Sequence, residues 1–398
     1  MNTGKIKHNK TLQYNNKAKD QLKKPRIGIT GQTGFIGTHL SYAIYLNEDR
    51  FRLIPFEDDY FQSEIRLDDF VKKCDVIVHL AAMNRHNDPD VLYKTNIRLV
   101  QKLIDSLERT SSLPYVIMAS SLQEERDNPY GNSKREGRMM LADWAAKHKA
   151  KFSGLIIPNV FGPFGIPFYN SVISTFSYQI ANGQQPKIEI DAELKLIYVA
   201  DLAKSIISLI DISFKTEQVK ELVKIDFQKE KKVSILLNQL LDYKATYQDQ
   251  GVFPDLSDPF DIALFNTYRS YMPLSFFPVT YQKHTDKRGD FIEVMKFNTS
   301  GQVSCSTTKP GVTRGNHFHL RKVERFSIIQ GKACIRLRRF RNSDVVEYIV
   351  DGMQPAYIDM PIWFSHNITN IGGSDLLTLF WINEAYNPSD PDTYSYEV

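Results

Sequence analysis

The hydrophobic pattern changes character along the chain. A short apolar run from Arg26 to Thr30 meets a cluster of glycines at Gly31, Gly34 and Gly37. An apolar-periodic stretch from Leu40 through Ile44 to Leu46 follows. This order predicts strand, tight turn, helix. A second apolar run, Phe51 to Phe56, ends in Glu57, Asp58 and Asp59. A third, Asp75 to Ala82, is unbroken, as in a strand buried on both faces. Residues 96–107 read as helix, and Tyr115 to Ser120 as a further strand. Strands alternating with helices at this spacing predict βαβ units around a parallel sheet.

Beyond about residue 275 the pattern shortens. From Phe291 to Val398, runs rich in Val, Ile, Phe, Tyr and Trp are separated by turn residues such as Pro310, Gly311, Gly331, Gly352 and Gly372. This predicts an antiparallel sandwich or barrel. The stretch 246–278 carries Pro254, Pro259, Pro273 and Pro278 and reads as a connecting segment with some helix. The expected organisation is an α/β part over 26–245, the connector, and a β part over 279–398.

Composition narrows the picture. A chain of 398 residues suggests two or three domains. With 42% hydrophobic and 24% charged residues it is ordinary globular material. It has no run of 18 apolar residues and no apolar signal-peptide core, so a cytoplasmic location is expected. Cys74, Cys305 and Cys334 form no metal spacing and read as reduced thiols. The net charge of +4 is misleading: residues 1–26 carry eight Lys or Arg against Asp20, which leaves the remainder slightly acidic. Nucleic acid is therefore not an expected partner. Residues 1–25 read as a disordered basic extension.

The glycines lie where a strand becomes a helix. They permit a tight turn and let backbone N–H groups approach a pyrophosphate. Tyr130 and Lys134, four apart, share one helix face behind the strand-end pair Ser120 and Ser121. A lysine ammonium beside a phenol stabilises phenolate, so Tyr130 can exchange a proton near neutral pH. Ser121 can hydrogen-bond the oxygen that gains or loses that proton. Glu57 follows Gly37 by 20 residues, where a carboxylate binds a ribose 2′-OH and repels a 2′-phosphate, which favours NAD(H).

These features resemble the extended short-chain dehydrogenase/reductase superfamily. The motifs are Thr30-Gly31-x-x-Gly34-Phe35-Ile36-Gly37, His79 to Ala82, Asn96, Ser121, Tyr130 with Lys134, Pro158 to Pro163, and Tyr198 to Asp201. The resemblance implies a Rossmann-type doubly wound sheet. Gly31, Gly34, Phe35, Ile36, Gly37, Ala81, Asn96, Tyr130 and Lys134 would line the cofactor, with Asn159 and Asn170 near a nucleotide sugar. Ser121 is followed by Leu122 and Gln123, not by the acid pair of sugar 4,6-dehydratases, so ketone reduction remains. Glu124 and Glu125 read as loop charges.

In the rear part, Gly311, His317, His319, Glu324 and Gly331 fit the first cupin motif, and Pro361 with His366 and Asn370 fits the second in part, Trp363 standing where glycine is usual. His317 and His319 point to one face of a strand because side chains alternate. With Glu324 and His366 they make a three-nitrogen, one-oxygen set that suits Zn, Fe, Mn or Ni, zinc being the first expectation. The run Asp286 to Phe291 is similar to a segment of cupin-fold sugar 3,5-epimerases and offers Arg288 for a diphosphate.

Over residues 26–398 the chain resembles bifunctional capsule and O-antigen enzymes. They process UDP-2-acetamido-2,6-dideoxy-hexos-4-ulose on the way to UDP-N-acetyl-L-fucosamine. The match includes Asn128 to Gly131, Tyr169 to Ile173, Thr267 to Pro273, Gly315 to His317 and the ending Asn383 to Tyr394. It implies NADP(H) as cofactor, at odds with Glu57, carbon-3 epimerisation in the cupin, 4-ketone reduction in the front half to UDP-2-acetamido-2,6-dideoxy-L-talose, and a homodimer. Two other classes stay open: a reductase or epimerase on another nucleotide sugar with a structural cupin, and a non-catalytic nicotinamide sensor.

Overall fold

The computed structural model describes residues 24–398. Apart from Lys24 and Pro25, the expectation for the basic extension lies outside the described residues. The front half is a six-stranded parallel sheet of β1 (Arg26–Thr30), β2 (Arg52–Ile54), β3 (Val76–His79), β4 (Tyr115–Ser121), β5 (Phe152–Ile157) and a late strand (Leu222–Lys224), in the order β2, β1, β3, β4, β5, late strand. β1 lies between β2 and β3, so the chain reverses its direction of travel across the sheet there. A parallel sheet opens a ligand crevice at such a switch point.

Both faces of the sheet are covered, which is why the strands read as unbroken apolar runs. Ile27, Ile29, Val76 and Val78 face α1 (Phe35–Tyr45) and the long helix Val199–Ser213. Ile77, Val116 and Met118 face α2 (Glu64–Val71), α3 (Pro89–Thr110) and α4 (Pro129–His148). Gly28 has no side chain because the Phe70 ring fills that space: a Cβ there would lie 2.4 Å from Phe70 Cζ. α3 starts earlier than its apolar periodicity suggests. Pro89 opens it and the Asp88 carboxylate accepts from the N–H groups of Asp90 (2.9 Å) and Val91 (3.4 Å).

A helical layer sits beside the sheet, built on α5 (Val172–Ala181), Val233–Asp242 and Pro259–Arg269. The last of these helices buries Asn266, Thr267 and Arg269 as well as its apolar residues. The rear half holds two five-stranded antiparallel sheets. One runs Val279–Thr280, Ala356–Met360, Glu324–Gln330, Leu376–Ile382, Gln302–Thr308; the other runs Val345–Asp351, Lys332–Arg339, Phe364–Asn370, Thr313–Phe318, Tyr394–Ser395. Their inner faces enclose Phe326, Ile328, Ile335, Leu337, Ile358 and Ile368. This is the cupin barrel.

Two seams join the halves. At one, Tyr42 of α1 packs on Trp363 (5.1 Å between ring centroids) and Phe340 (5.2 Å). Trp363 adopts φ +65, the left-handed conformation that favours glycine. The usual cupin glycine is replaced here because the indole fills this seam, where it is 4% exposed. At the other seam the buried Arg325 pairs with Asp359 (2.6 Å), and Asp359 also accepts from Tyr247 (2.7 Å), whose oxygen accepts from Arg269 (3.2 Å). Such a pair costs more to break than to replace whole. Cys74, Cys305 and Cys334 are free thiols. Among the described residues no helix is long and apolar enough to cross a membrane.

Candidate functional site

A cavity of about 640 Å³ opens at the carboxyl ends of β1, β3, β4 and β5. Its size suits a nucleotide-scale ligand. One wall is the glycine turn. Gly31 has φ +70, and a Cβ there would meet Ala81 N at 2.9 Å; one on Gly37 would meet Gly31 O at 2.2 Å. Gly34 caps α1 without a side chain, so the helix's first N–H groups face the cavity unscreened by a cap. The cradle therefore fits a pyrophosphate.

Ser121, Tyr130 and Lys134 line the same cavity, with Gly31, Gly34, Phe35, Ile36, Gly37, Ala81, Asn159 and Asn170. Ser121 ends β4, where its hydroxyl accepts from Gln123 N at 3.2 Å. α4 presents Tyr130 and Lys134 one turn apart, its start fixed by Pro129 and by Asn128, which accepts from Gly131 N at 2.8 Å. Burial pushes the Tyr130 phenol up to about 12, and Tyr169 adds to the rise. Burial lowers Lys134 to about 8, against the opposing pull of Glu124.

Four expectations are corrected. Glu124 is not a loop charge: it is 8% exposed, pairs with Arg138 at 2.8 Å and accepts from Ser120 Oγ. Its negative charge works against burial and raises the Lys134 ammonium. The carboxylate that borders the cavity is Asp58, not Glu57; Asp58 accepts from Thr33 Oγ1 at 3.2 Å, while Glu57 is exposed in extended backbone. Asp58 opens the helical turn Asp58–Gln62, and Glu57 stands just before it. Asn96 does not line the cavity, because its amide is spent on the backbone of Met83 (2.7 and 3.0 Å) and on Ser133 Oγ (3.0 Å). It shapes the loop after β3 that does. Arg288 borders neither cavity: it is exposed on the hairpin Lys283–Ile292 and folds back on Asp286 at 2.6 Å.

The barrel holds a second, smaller cavity of about 230 Å³ lined by Ser306, Arg314, Gly315, His317, Glu324, Phe326, Ile368 and Phe380. Beside it His317, His319, Glu324 and His366 converge, their ligand atoms all within 4.8 Å of one another. A bulge between Gly315 and His317 aims the first histidine. His319 Nε2 and His366 Nε2 each lie 3.2 Å from Glu324 Oε2. His366 Nδ1 donates to Phe364 O (3.1 Å), so its Nε2 lone pair points into the cluster, where it meets no hydrogen-bond partner. Buried lone pairs around a carboxylate repel one another unless a cation joins them, so the donor set fits a divalent metal. Burial and the neighbouring imidazoles push His317 down to about 4. For Glu324, burial works to raise the carboxyl, and only positive charge beside it, on His319 and His366 or on a cation that they hold, brings it down. Sequence reasoning missed Arg314 and Ser306; no spacing rule marks them, because only closure of the barrel brings them to the cavity.

Fold and sites together define a Rossmann-type oxidoreductase joined to a cupin. Residues 27–220 match the NAD dependent epimerase/dehydratase family and residues 284–394 match the polysaccharide biosynthesis C-terminal domain. The chain is 31% identical to the capsular polysaccharide assembling protein CapF of Staphylococcus aureus, with 94% of this chain and 100% of that one covered and a TM-score of 0.59. A second CapF structure, with the inhibitor 3-isopropenyl-tropolone, is 30% identical, with 94% of this chain and 100% of that one covered and a TM-score of 0.57. A curated relative from Pseudomonas aeruginosa, UDP-2-acetamido-2,6-beta-L-arabino-hexul-4-ose reductase, is 29% identical over 94% of this chain and 99% of its own length. The chain belongs to the CapF family, and it is an enzyme.

Proposed function

We propose that the chain is a bifunctional UDP-sugar enzyme. It epimerises carbon 3 of UDP-2-acetamido-2,6-dideoxy-hexos-4-ulose at the barrel cluster, then reduces the 4-ketone at the front cavity. One observation carries the reading: a proton-transfer set and a converged metal-type donor set coexist in one chain, each at its own cavity. The name of the Pseudomonas aeruginosa relative supports the substrate.

The order of steps follows from chemistry. The proton on carbon 3 is acidic only while carbon 4 is a ketone, so epimerisation precedes reduction. A divalent cation held by His317, His319, Glu324 and His366 would supply polarisation of that ketone. At the front cavity a nicotinamide would supply hydride to carbon 4. Tyr130, protonated at neutral pH because it is buried, donates its proton to the ketone oxygen, and Ser121 hydrogen-bonds that oxygen. Lys134 holds the ribose and stabilises the phenolate left on Tyr130, and Glu124 favours its ammonium form.

NAD(H) is the proposed cofactor. The Asp58 carboxylate borders the cavity beside Thr33 and would repel a 2′-phosphate. This favours NAD(H) over the NADP(H) implied by the resemblance.

The test follows oxidation of NADH and NADPH with the 4-keto substrate in deuterated water, with and without chelator. The reading expects NADH to be preferred and deuterium to enter carbon 3, with chelator stopping that exchange. Reduction without any carbon-3 deuterium would leave a simple ketoreductase.

A further inference from the structure

The C-terminal run Asn383 to Tyr394 has no role in either reaction as derived above, yet it lies across the turn between two metal-type ligands. We propose that Asp392 is the positioning residue of the barrel cluster, a brace that fixes the ring of His319 and the turn 320–322 for a divalent cation. The proposal rests on the reading of the cluster as a metal site.

Asp392 is 4% exposed and adopts φ +41, a conformation uncommon for a residue other than glycine. Both ends of the residue are used. Its main-chain oxygen accepts the Nδ1–H of His319 at 2.6 Å. Its carboxylate accepts three consecutive backbone N–H groups, from Leu320 (3.1 Å), Arg321 (3.0 Å) and Lys322 (2.9 Å). The first bond uses the proton on Nδ1 and sets the plane of the ring, so Nε2, 3.2 Å from Glu324 Oε2, is the ring atom turned to the cluster and the one a divalent cation would take. The other three hold the short path from His319 to Glu324 in one shape.

The run is itself tied down. Lys322, 2% exposed, donates to Pro391 O at 2.6 Å, and Arg321 pairs with Glu384 (3.0 Å) and Asp390 (2.9 Å). From the opposite side, Asn266 of the helix Pro259–Arg269 donates to Arg321 O at 2.8 Å. The turn is thus clamped between the C-terminal run and the helical layer. The peptide oxygen alone could orient His319. The buried carboxylate on three N–H groups is what keeps that oxygen in place.

The test uses the full chain and zinc or cobalt(II) alone. Zinc affinity is read by competition with a chromophoric chelator, and ligand geometry by the visible spectrum of the cobalt form. NADH binding at the front cavity checks that the protein is folded. Asp392→Ala is expected to weaken zinc binding about 10–100-fold and to change the cobalt spectrum, with NADH binding intact. Asp392→Asn keeps one acceptor oxygen and is expected to recover part of the affinity; it also serves if the alanine variant does not fold. Wild-type zinc affinity and cobalt spectrum in a folded variant would overturn the brace while leaving the metal reading standing. A wild-type chain that binds neither metal would overturn that reading and the brace with it.

Discussion

The two cavities are built by opposite means. The front one is a wide crevice whose nucleotide end is made of backbone: a glycine turn, a helix N-terminus and strand-end loops. The rear one is a small chamber beside four side chains drawn within 4.8 Å of one another. A backbone cradle depends on what is missing, since any Cβ at Gly31 or Gly37 would strike neighbouring backbone and force the turn apart. A side-chain cluster depends on what is present and on how each ring is turned. Damage should differ accordingly. Adding an atom breaks the first site, and removing one breaks the second.

The sharpest way to break the comparison is to separate the activities. Lys134→Ala should lower hydride transfer about 10³-fold, with carbon-3 deuterium exchange retained. His366→Ala should do the reverse, reducing exchange and zinc affinity on the order of 100-fold or more. If both activities vanish in either folded variant, the division of labour is wrong.

Gly37→Ala tests the cradle. Its new Cβ would lie 2.2 Å from a backbone oxygen that cannot move aside. The turn should shift, and kcat/KM for the cofactor should drop about 10²-fold, measured by initial rates at varied NADH. Zinc binding at the rear should not change.

Asp58→Asn is a milder probe. Removing the carboxylate charge should narrow the NADH over NADPH preference about tenfold, equivalent to ~1.4 kcal/mol. Unchanged selectivity would assign the discrimination elsewhere.

The smallest expected effect is in the pH profile. Lys134 is lowered to about 8 by burial, so its ammonium is present below that pH and lost above it. The reductase rate should fall as pH rises through about 8. Glu124 raises the Lys134 value, so Glu124→Gln should move this limb to lower pH. A limb that stays in place would remove Glu124 from the site.

Much of this was legible in the sequence, for a physical reason. The glycine turn, the Tyr130–Lys134 pair and the His317–His319 pair are local spacings, set by the helix and strand repeats, and local geometry follows from local order. Trp363 also advertised itself, as a departure from the cupin pattern. The misreadings share a cause as well. Whether Glu57 or Asp58 meets the cavity turns on where a helical turn starts, a one-residue phase that apolar periodicity does not specify. Glu124 looked like a loop charge because its partner, Arg138, is fourteen positions on and meets it only when α4 docks. The resemblance puts Asn96 beside the cofactor, and its amide instead serves the loop that lines the cavity.

The sequence by itself therefore determined the kinds of element and most of the polar groups that meet at the two cavities, because these depend on residue type and short-range spacing. Only the tertiary structure decided which carboxylate borders the front cavity, which one acts on Lys134, that Arg288 stands apart, and that Asp392 reaches back more than seventy residues to His319. Burial and hydrogen-bond partnership are properties of the closed barrel and the packed sheet, and no short stretch of chain contains them.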